Sequence, residues 1–330
     1  MSEPLQQRCH RLLTELGLIA EQDAITATAL TGGVASDIAH VQAGGHDYCV
    51  KFALSKLRVK ADWYAPVERN LAEYRWLEAY AQLDPEGAIT LYGHSPSLNG
   101  FVMQYLSGPD TYLFKSALFE GKGNKADAMN IGRNLGRMHQ ASSKRHFDTS
   151  PFDNRDDFYA IRIEPYLIHT AKAHDAVTSK ITAMADHLYQ SQQVLIHGDV
   201  SPKNILVRND RTYLLDAECA TMGDASFDVS FCLNHFILKA LHVPERRNDY
   251  LGLCDVFWQA YKAEIDFEDH DSLERRIAQL LPMLLLARVD GKSPVEYLTE
   301  TTAVEVRQHA LSLIHHQPAT LLQLINQLQS

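Results

Sequence analysis

The sequence predicts an α+β protein of two lobes: a small antiparallel β lobe with one helix over residues 1–106, then a larger, mainly helical lobe over 107–330. Three observations carry this. Strand-like stretches joined by turn signals fill most of the first part. Helical periodicity fills most of the second. One strand-rich interruption, Val194–Ala217, breaks the helical part. Strands and helices that segregate along the chain point to the α+β class and away from alternating βαβ units.

In order along the chain, Leu5–Leu16 reads as a short amphipathic helix. Ala24–Thr31, Ile38–Gln42 and Asp47–Phe52 read as strands, the last two joined by the hairpin signal Ala43-Gly44-Gly45-His46. A helix follows over Pro66–Gln82, with Pro66 at its start, where a missing N–H costs little. Ala88–Tyr92 and Gly100–Tyr105 read as two more strands. The turn-like Leu106-Ser107-Gly108-Pro109 marks the boundary. Beyond it, helical patterns run over 125–141, 157–174, 177–191, 245–263, 271–288, 294–314 and 317–328. The sequence shows no internal repeat and no low-complexity segment.

A length of 330 residues suits two domains at roughly 150 residues each. With 45% hydrophobic and 22% charged residues, the composition argues against disorder or a fibrous repeat. Apolar runs such as Leu284–Ala287 fall short of the ~20 residues of a membrane helix. Met1–Arg8 lacks the basic start and apolar core of a signal peptide. The net charge of −10 disfavours nucleic acid as a partner and suits a cationic or neutral small substrate. The cysteines Cys9, Cys49, Cys219, Cys232 and Cys254 are odd in number, with no closely spaced pair. A disulfide framework or zinc site is therefore not expected, and a reducing, cytoplasmic location is.

The chemistry concentrates in His197-Gly198-Asp199-Val200-Ser201-Pro202-Lys203-Asn204. Twelve residues after Asn204 come Asp216-Ala217-Glu218, led in by the apolar Tyr213-Leu214-Leu215. An Asp, an Asn five residues on and an Asp at a strand end suit phosphoryl transfer. The first Asp can accept a hydroxyl proton; the Asn and second Asp can hold Mg²⁺ against the oxygens of ATP.

On these residues the chain resembles the aminoglycoside phosphotransferase and choline kinase superfamily, which has a protein-kinase-like fold. Asp-x-Glu in place of Asp-Phe-Gly is closest in style to the methylthioribose kinases. The resemblance implies Asp199 as catalytic base, Asn204 and Asp216 as Mg²⁺ ligands, and Glu218 as a further direct or water-mediated ligand. It implies that His197 braces the loop and that Asp228 steadies the loop backbone. Leu135-Gly136-Arg137-Met138-His139 resembles the helix beneath the loop, with Gly136 and His139 structural. Lys203 either touches the γ-phosphate or lies in solvent.

In the first lobe, Gly32 and Gly33 lie between two strands, where backbone N–H groups can approach phosphates, and Ser36 adds a hydroxyl. Lys51, one hairpin later, resembles the strand lysine that pairs with the α- and β-phosphates. Its carboxylate partner is Glu68 or Glu73. These stand about 140° apart around a helix. Glu73 falls within the apolar face of Tyr74, Leu77, Tyr80 and Ala81, and a charge on a buried stripe needs a partner, so Glu73 is the expected one. Relatives often carry this Glu six residues before a Trp-Leu pair, which here is Asn70. Gln104 and Tyr105 resemble the linker whose backbone reads adenine.

For the acceptor, Asp153-Asn154-Arg155-Asp156-Asp157 either lines a site for a cation or is a solvated helix start. Arg288 loosely resembles half of the paired-Arg helix end that holds the sugar in methylthioribose kinases, and is the expected acceptor residue; the alternative is a cation that only serves its helix dipole. Gly291-Lys292-Ser293 lacks the leading glycine and strand of a P-loop. The reading is an ATP- and Mg²⁺-dependent kinase acting on a hydroxyl of a small metabolite, sugar-like or an amino alcohol, with no nucleic-acid or membrane partner. An aminoglycoside-type kinase with a cationic acceptor is the alternative. Asp199, Asn204 and Asp216 together oppose a non-catalytic pseudokinase; the missing Asp-Phe-Gly and Ala-Pro-Glu oppose a protein kinase.

Overall fold

In the computed structural model, which describes residues 3–30, 36–58 and 66–329, the chain divides into two compact units, Met1–Thr111 and Tyr112–Ser330. The turn at Gly108 thus lies inside the first unit.

The first unit is built on β1 (Ile25–Ala29), β2 (Ser36–Ala43), β3 (His46–Ala53), β4 (Leu91–Ser95) and β5 (Gly100–Gln104). They form one five-stranded antiparallel sheet in the order β1-β2-β3-β5-β4. Gly44 and Gly45, both at positive φ, close the β2–β3 hairpin. Two helices belong here, not one: α1 (Leu5–Glu15) and α2 (Arg69–Leu83). Cys9, Leu12 and Leu13 of α1 are buried in one core with Val41, Val50 and Phe52, so α1 is part of the β lobe and not a separate arm. The fourth strand starts three residues later than the apolar pattern suggests, and its pairing with β5 slips between Leu91 and Gly93.

The second unit opens with β6 (Thr111–Leu113), α3 (Phe114–Glu120) and α4 (Lys125–Ser142). Next come α5 (Arg155–Phe158), a π-helical stretch Tyr159–Ile168, α6 (His169–Ala171) and α7 (Thr178–Gln190). The sequence reads this region, 157–174, as one ordinary helix; Pro165 lies inside it and has no N–H to continue the ladder. Then follow β7 (Val194–Ile196), β8 (Ile205–Arg208), β9 (Arg211–Leu214), β10 (Thr221–Gly223), α8 (Ala225–His242) and α9 (Arg247–Lys262). The chain ends in α10 (His270–Asp290), α11 (Glu300–His316) and α12 (Leu321–Gln329). β7 pairs with β10, and β8 with β9, leaving the segment between β7 and β8 as a loop. Among the described residues no helix is long and apolar enough to cross a membrane.

Two helices escape the sequence reading, α8 and α3. Every residue from Ala225 to Leu241 is buried, so α8 carries no polar face and no amphipathic period. Asp224 caps its start by accepting from the Ser226 N–H at 2.8 Å. α3 is missed for a simpler reason, its seven residues being too short for a period.

α4 and α9 touch backbone to backbone. A Cβ at Gly132 would lie 2.4 Å from the Phe257 carbonyl oxygen, and one at Gly136 2.7 Å from that of Tyr261. Gly132→Ala is therefore expected to cost about 1–3 kcal/mol through overpacking. A lower urea midpoint with an unchanged slope will show it; an unchanged midpoint would mean that the helices separate freely.

Candidate active site

Each unit gathers part of the predicted site. In the first, Lys51 sits mid-strand in β3, opposite Ile38 on one side and Phe101 on the other. Its Nζ donates to Glu73 Oε2 at 2.5 Å. Both side chains are almost wholly buried, at 2% and 1% exposure, so each charge depends on the other. Glu68 is exposed just before α2. Asn70, where relatives often carry the carboxylate, is buried a turn earlier. Ser36 is buried at the start of β2, whereas Gly32 and Gly33 lie outside the described residues. Gln104 ends β5, its N–H donating to the Thr90 carbonyl at 2.8 Å. The Tyr105 ring stacks on His40, centroids 3.9 Å apart.

In the second unit the loop after β7 is fixed by its backbone. Gly198 has φ +78°, and a Cβ there would lie 2.7 Å from Cys219 Cβ, so only glycine fits. The N–H groups of His197 and Gly198 both donate to the Asp228 carboxylate, at 2.6 and 2.8 Å. Asp228 is fully buried on α8. It also receives His139 Nε2 at 3.2 Å, and His139 Nδ1 meets the Tyr261 hydroxyl at 2.7 Å. His197 turns inward: its Nδ1 accepts the Asp199 N–H at 3.2 Å, and burial holds its pKa below the usual imidazole range.

Asp199 is buried, and its Oδ2 lies 2.9 Å from Arg162 Nη2 and 3.3 Å from Lys203 Nζ. Burial alone would raise its pKa, but the charges of Lys203 and Arg162 hold it well below the usual carboxylate range. Asp199 is thus ionised at any working pH and ready to accept a hydroxyl hydrogen. Arg162, on the π-helical stretch, also donates Nε to the Gly198 carbonyl at 2.6 Å. The sequence reading missed Arg162. The available signal was the rule that selects Glu73, a charge set between apolar neighbours, here Ile161 and Ile163.

Asn204 Nδ2 donates to the Asp199 carbonyl at 3.2 Å, and the Leu215 N–H donates to the Asn204 carbonyl at 2.8 Å. These bonds tie the loop to the end of β9, just before Asp216. Asp216 itself adopts φ +67°, a left-handed conformation that Asp tolerates better than most residues. It is half-buried, and Glu218 is buried. Among the described residues no group of three His, Cys, Asp or Glu side chains forms a metal site. The donors at hand are the Asn204 Oδ1 and the Asp216 carboxylate. Such a partial, all-oxygen set fits Mg²⁺, which takes its remaining ligands from phosphate and water.

Arg288 lies in the last turn of α10. Its Nη1 donates to the Tyr166 hydroxyl at 3.0 Å and to the Ser293 carbonyl at 2.6 Å. In the acidic segment, Asp156 is exposed in the first turn of α5 and accepts from the Tyr189 hydroxyl at 2.7 Å.

Residues 26–261 match the phosphotransferase enzyme family. The chain is 25% identical over 272 residues to the methylthioribose kinase of Pectobacterium carotovorum subsp. carotovorum strain PC1, across 70% of this chain and 66% of that kinase. It therefore spans just under two thirds of that relative's length. Among solved structures it is similar to the amicoumacin kinase hAmiN, solved with AMP-PNP, Ca²⁺ and Ami (TM-score 0.58, 15% identity, covering 98% of this chain and 100% of that one). It is also similar to a choline/ethanolamine kinase family protein from Mesorhizobium loti (TM-score 0.57, 14% identity, 99% of each chain). Both have the kinase-like fold described above.

The anchor of α8 generates a prediction. Asp224 meets His187 Nε2 at 2.8 Å and Arg276 Nε at 3.1 Å. Burial alone would raise its pKa; His187 and Arg276 bring it down to about 2. A folded pKa below the unfolded value stabilises above pH ~4, and the gain is lost as pH falls towards 2. Its size is about 2 kcal/mol. The stability gap between the wild type and Asp224→Asn, from urea midpoints, is therefore expected to be larger at pH 6 than at pH 3. A gap independent of pH would show that Asp224 acts only as a cap.

Proposed function

Since the chain belongs to the phosphotransferase enzyme family, we propose that it transfers the γ-phosphoryl group of ATP, with Mg²⁺, to a hydroxyl of a small metabolite. The observation that carries this is the fixed loop: an ionised Asp199 with Asn204 five residues on, bonded to the strand that delivers Asp216.

In this reading Asp199 accepts a hydrogen bond from the acceptor hydroxyl and takes its proton as the new O–P bond forms and the bond from the γ-phosphorus to the bridging oxygen breaks, releasing ADP. With so low a pKa it is a weak base. Its main work is orientation, which suits a loose transition state that asks little of a base. Lys203, paired with Asp199, supplies a positive charge for the phosphate oxygens where negative charge collects. Asn204 and Asp216, with Glu218 as a further direct or water-mediated ligand, would hold Mg²⁺, which would neutralise the phosphate oxygens. In the first unit Lys51, held by Glu73, pairs with the α- and β-phosphates. Gly32, Gly33 and Ser36 offer the phosphate loop, and Gln104 and Tyr105 receive the adenine. Arg288 serves the acceptor. The five buried, unpaired cysteines support a reducing, cytoplasmic location.

The test is a screen of hydroxylated metabolites for ADP release. Asp216→Ala is expected to abolish Mg²⁺-dependent turnover while circular dichroism stays native; wild-type activity in this variant would remove the metal role. Asp199→Asn is expected to lower kcat by roughly 10²–10⁴, as the acceptor hydroxyl loses the carboxylate that orients it and takes its proton, with ATP affinity little changed. Loss of ATP binding with turnover intact would reverse the two roles.

A further inference from the structure

Beyond Asp228, one face of α8 carries Phe231, His235 and Lys239 at helical spacing. Phe231 packs 5.5 Å from the Tyr166 ring and 5.8 Å from that of His235. Two guanidinium groups flank Tyr166: that of Arg162 at 6.0 Å, which holds Asp199, and that of Arg288 at 5.7 Å. A continuous row thus runs from the catalytic carboxylate to Arg288, all within the second unit.

Charge along this row is unbalanced. Arg162 and Lys203 share Asp199, and Lys115 meets Glu296 at 2.6 Å. Arg288 meets only neutral oxygens of Tyr166 and Ser293, and its buried Nε has no hydrogen-bond partner among the described residues. Lys239 is 1% exposed. Its ammonium faces the rings of Phe119 at 5.0 Å and Tyr297 at 5.2 Å; it makes no ion pair among the described residues, and Glu296 acts on it only from further off. The Tyr297 hydroxyl is also buried without a partner. Glu296, already paired with Lys115, is a carboxylate that both Lys239 and Arg288 feel, so positive charge is still in excess here. Burying an unpaired ammonium is costly. Burial, followed by the charge of Lys115, pushes the Lys239 pKa down to about 7. Burial also keeps His235 neutral.

We infer that the acceptor bears an anionic group, a carboxylate or a phosphate, received by Arg288 and Lys239; this rests on the kinase reading above. The guanidinium fork and the ammonium together suit a planar or tetrahedral oxyanion. The same two charges repel a polycationic acceptor.

The test measures binding by thermal shift for wild type, Lys239→Met and Arg288→Gln. The probes are gluconate, ribose 5-phosphate, ribose and choline. Met keeps the stem of Lys239 between the two rings and removes only the charge, so this variant is expected to fold. Gluconate or ribose 5-phosphate is expected to raise the wild-type Tm, and ribose and choline are not. Which of the two anions acts separates carboxylate from phosphate. Both variants are expected to weaken the anionic probe at least tenfold and leave ATP binding unchanged. Equal stabilisation by ribose, none by either anion, or undiminished affinity in Lys239→Met overturns the inference. ADP release separates the two readings. Turnover of ribose or choline that disappears in Asp199→Asn would keep the kinase and discard the anionic acceptor. An anion that binds while no acceptor yields ADP would do the reverse.

Discussion

The two oxygens of Asp228 each accept a backbone N–H from the loop that carries Asp199, and the chemistry of the second unit depends on that bond pair. A carboxylate at zero exposure is tolerated only when its lone pairs are filled. Here His197, Gly198 and His139 fill them, and Tyr261 holds His139 in turn. The bonds are short and charge-assisted, so they define the loop geometry more tightly than neutral ones would. α8, which bears this carboxylate, is buried on all sides. It is a central post, with Asp224 fixing its start and Asp228 one turn later fixing the loop.

Charge is handled differently in the two units. In the first, Lys51 and Glu73 form a nearly dry pair on adjoining elements, a strand and a helix. In the second, one carboxylate serves two cations: Asp199 faces both Arg162 and Lys203. That excess of positive charge keeps Asp199 ionised despite its burial and continues along α8 to Lys239. An aspartate so far below its ordinary pKa has little basic strength, and its value lies in where it stands.

Most of what bears chemistry was legible because motif and period agreed. The hairpin followed from its turn residues, Lys51 from the family resemblance, and Glu73 over Glu68 from helix geometry; Lys51 does pair with Glu73. Asn204 and Asp216 were singled out by their spacing and by the family resemblance, although nothing in either announced the left-handed backbone of Asp216. Elements without a period were hidden. α8 has no polar face, α3 is too short, and the π-helical stretch around Pro165 looks like any apolar helix. Arg162 was hidden for the same reason, being one charge in a segment read only for its periodicity. Lys239 was hidden with the rest of α8, and only the rings of Phe119 and Tyr297 around its ammonium set it apart.

The dependence of the loop on Asp228 can be read directly by hydrogen exchange of the amides of His197 and Gly198, in the wild type and in Asp228→Asn. An asparagine offers one acceptor oxygen and turns a donor towards the other N–H. The amides are expected to be strongly protected in the wild type and to exchange at least tenfold faster in the variant. kcat should fall with them, while the affinity for ATP holds. Equal protection in both proteins, with kcat unchanged, would show that the loop stands without Asp228 and would contradict the account.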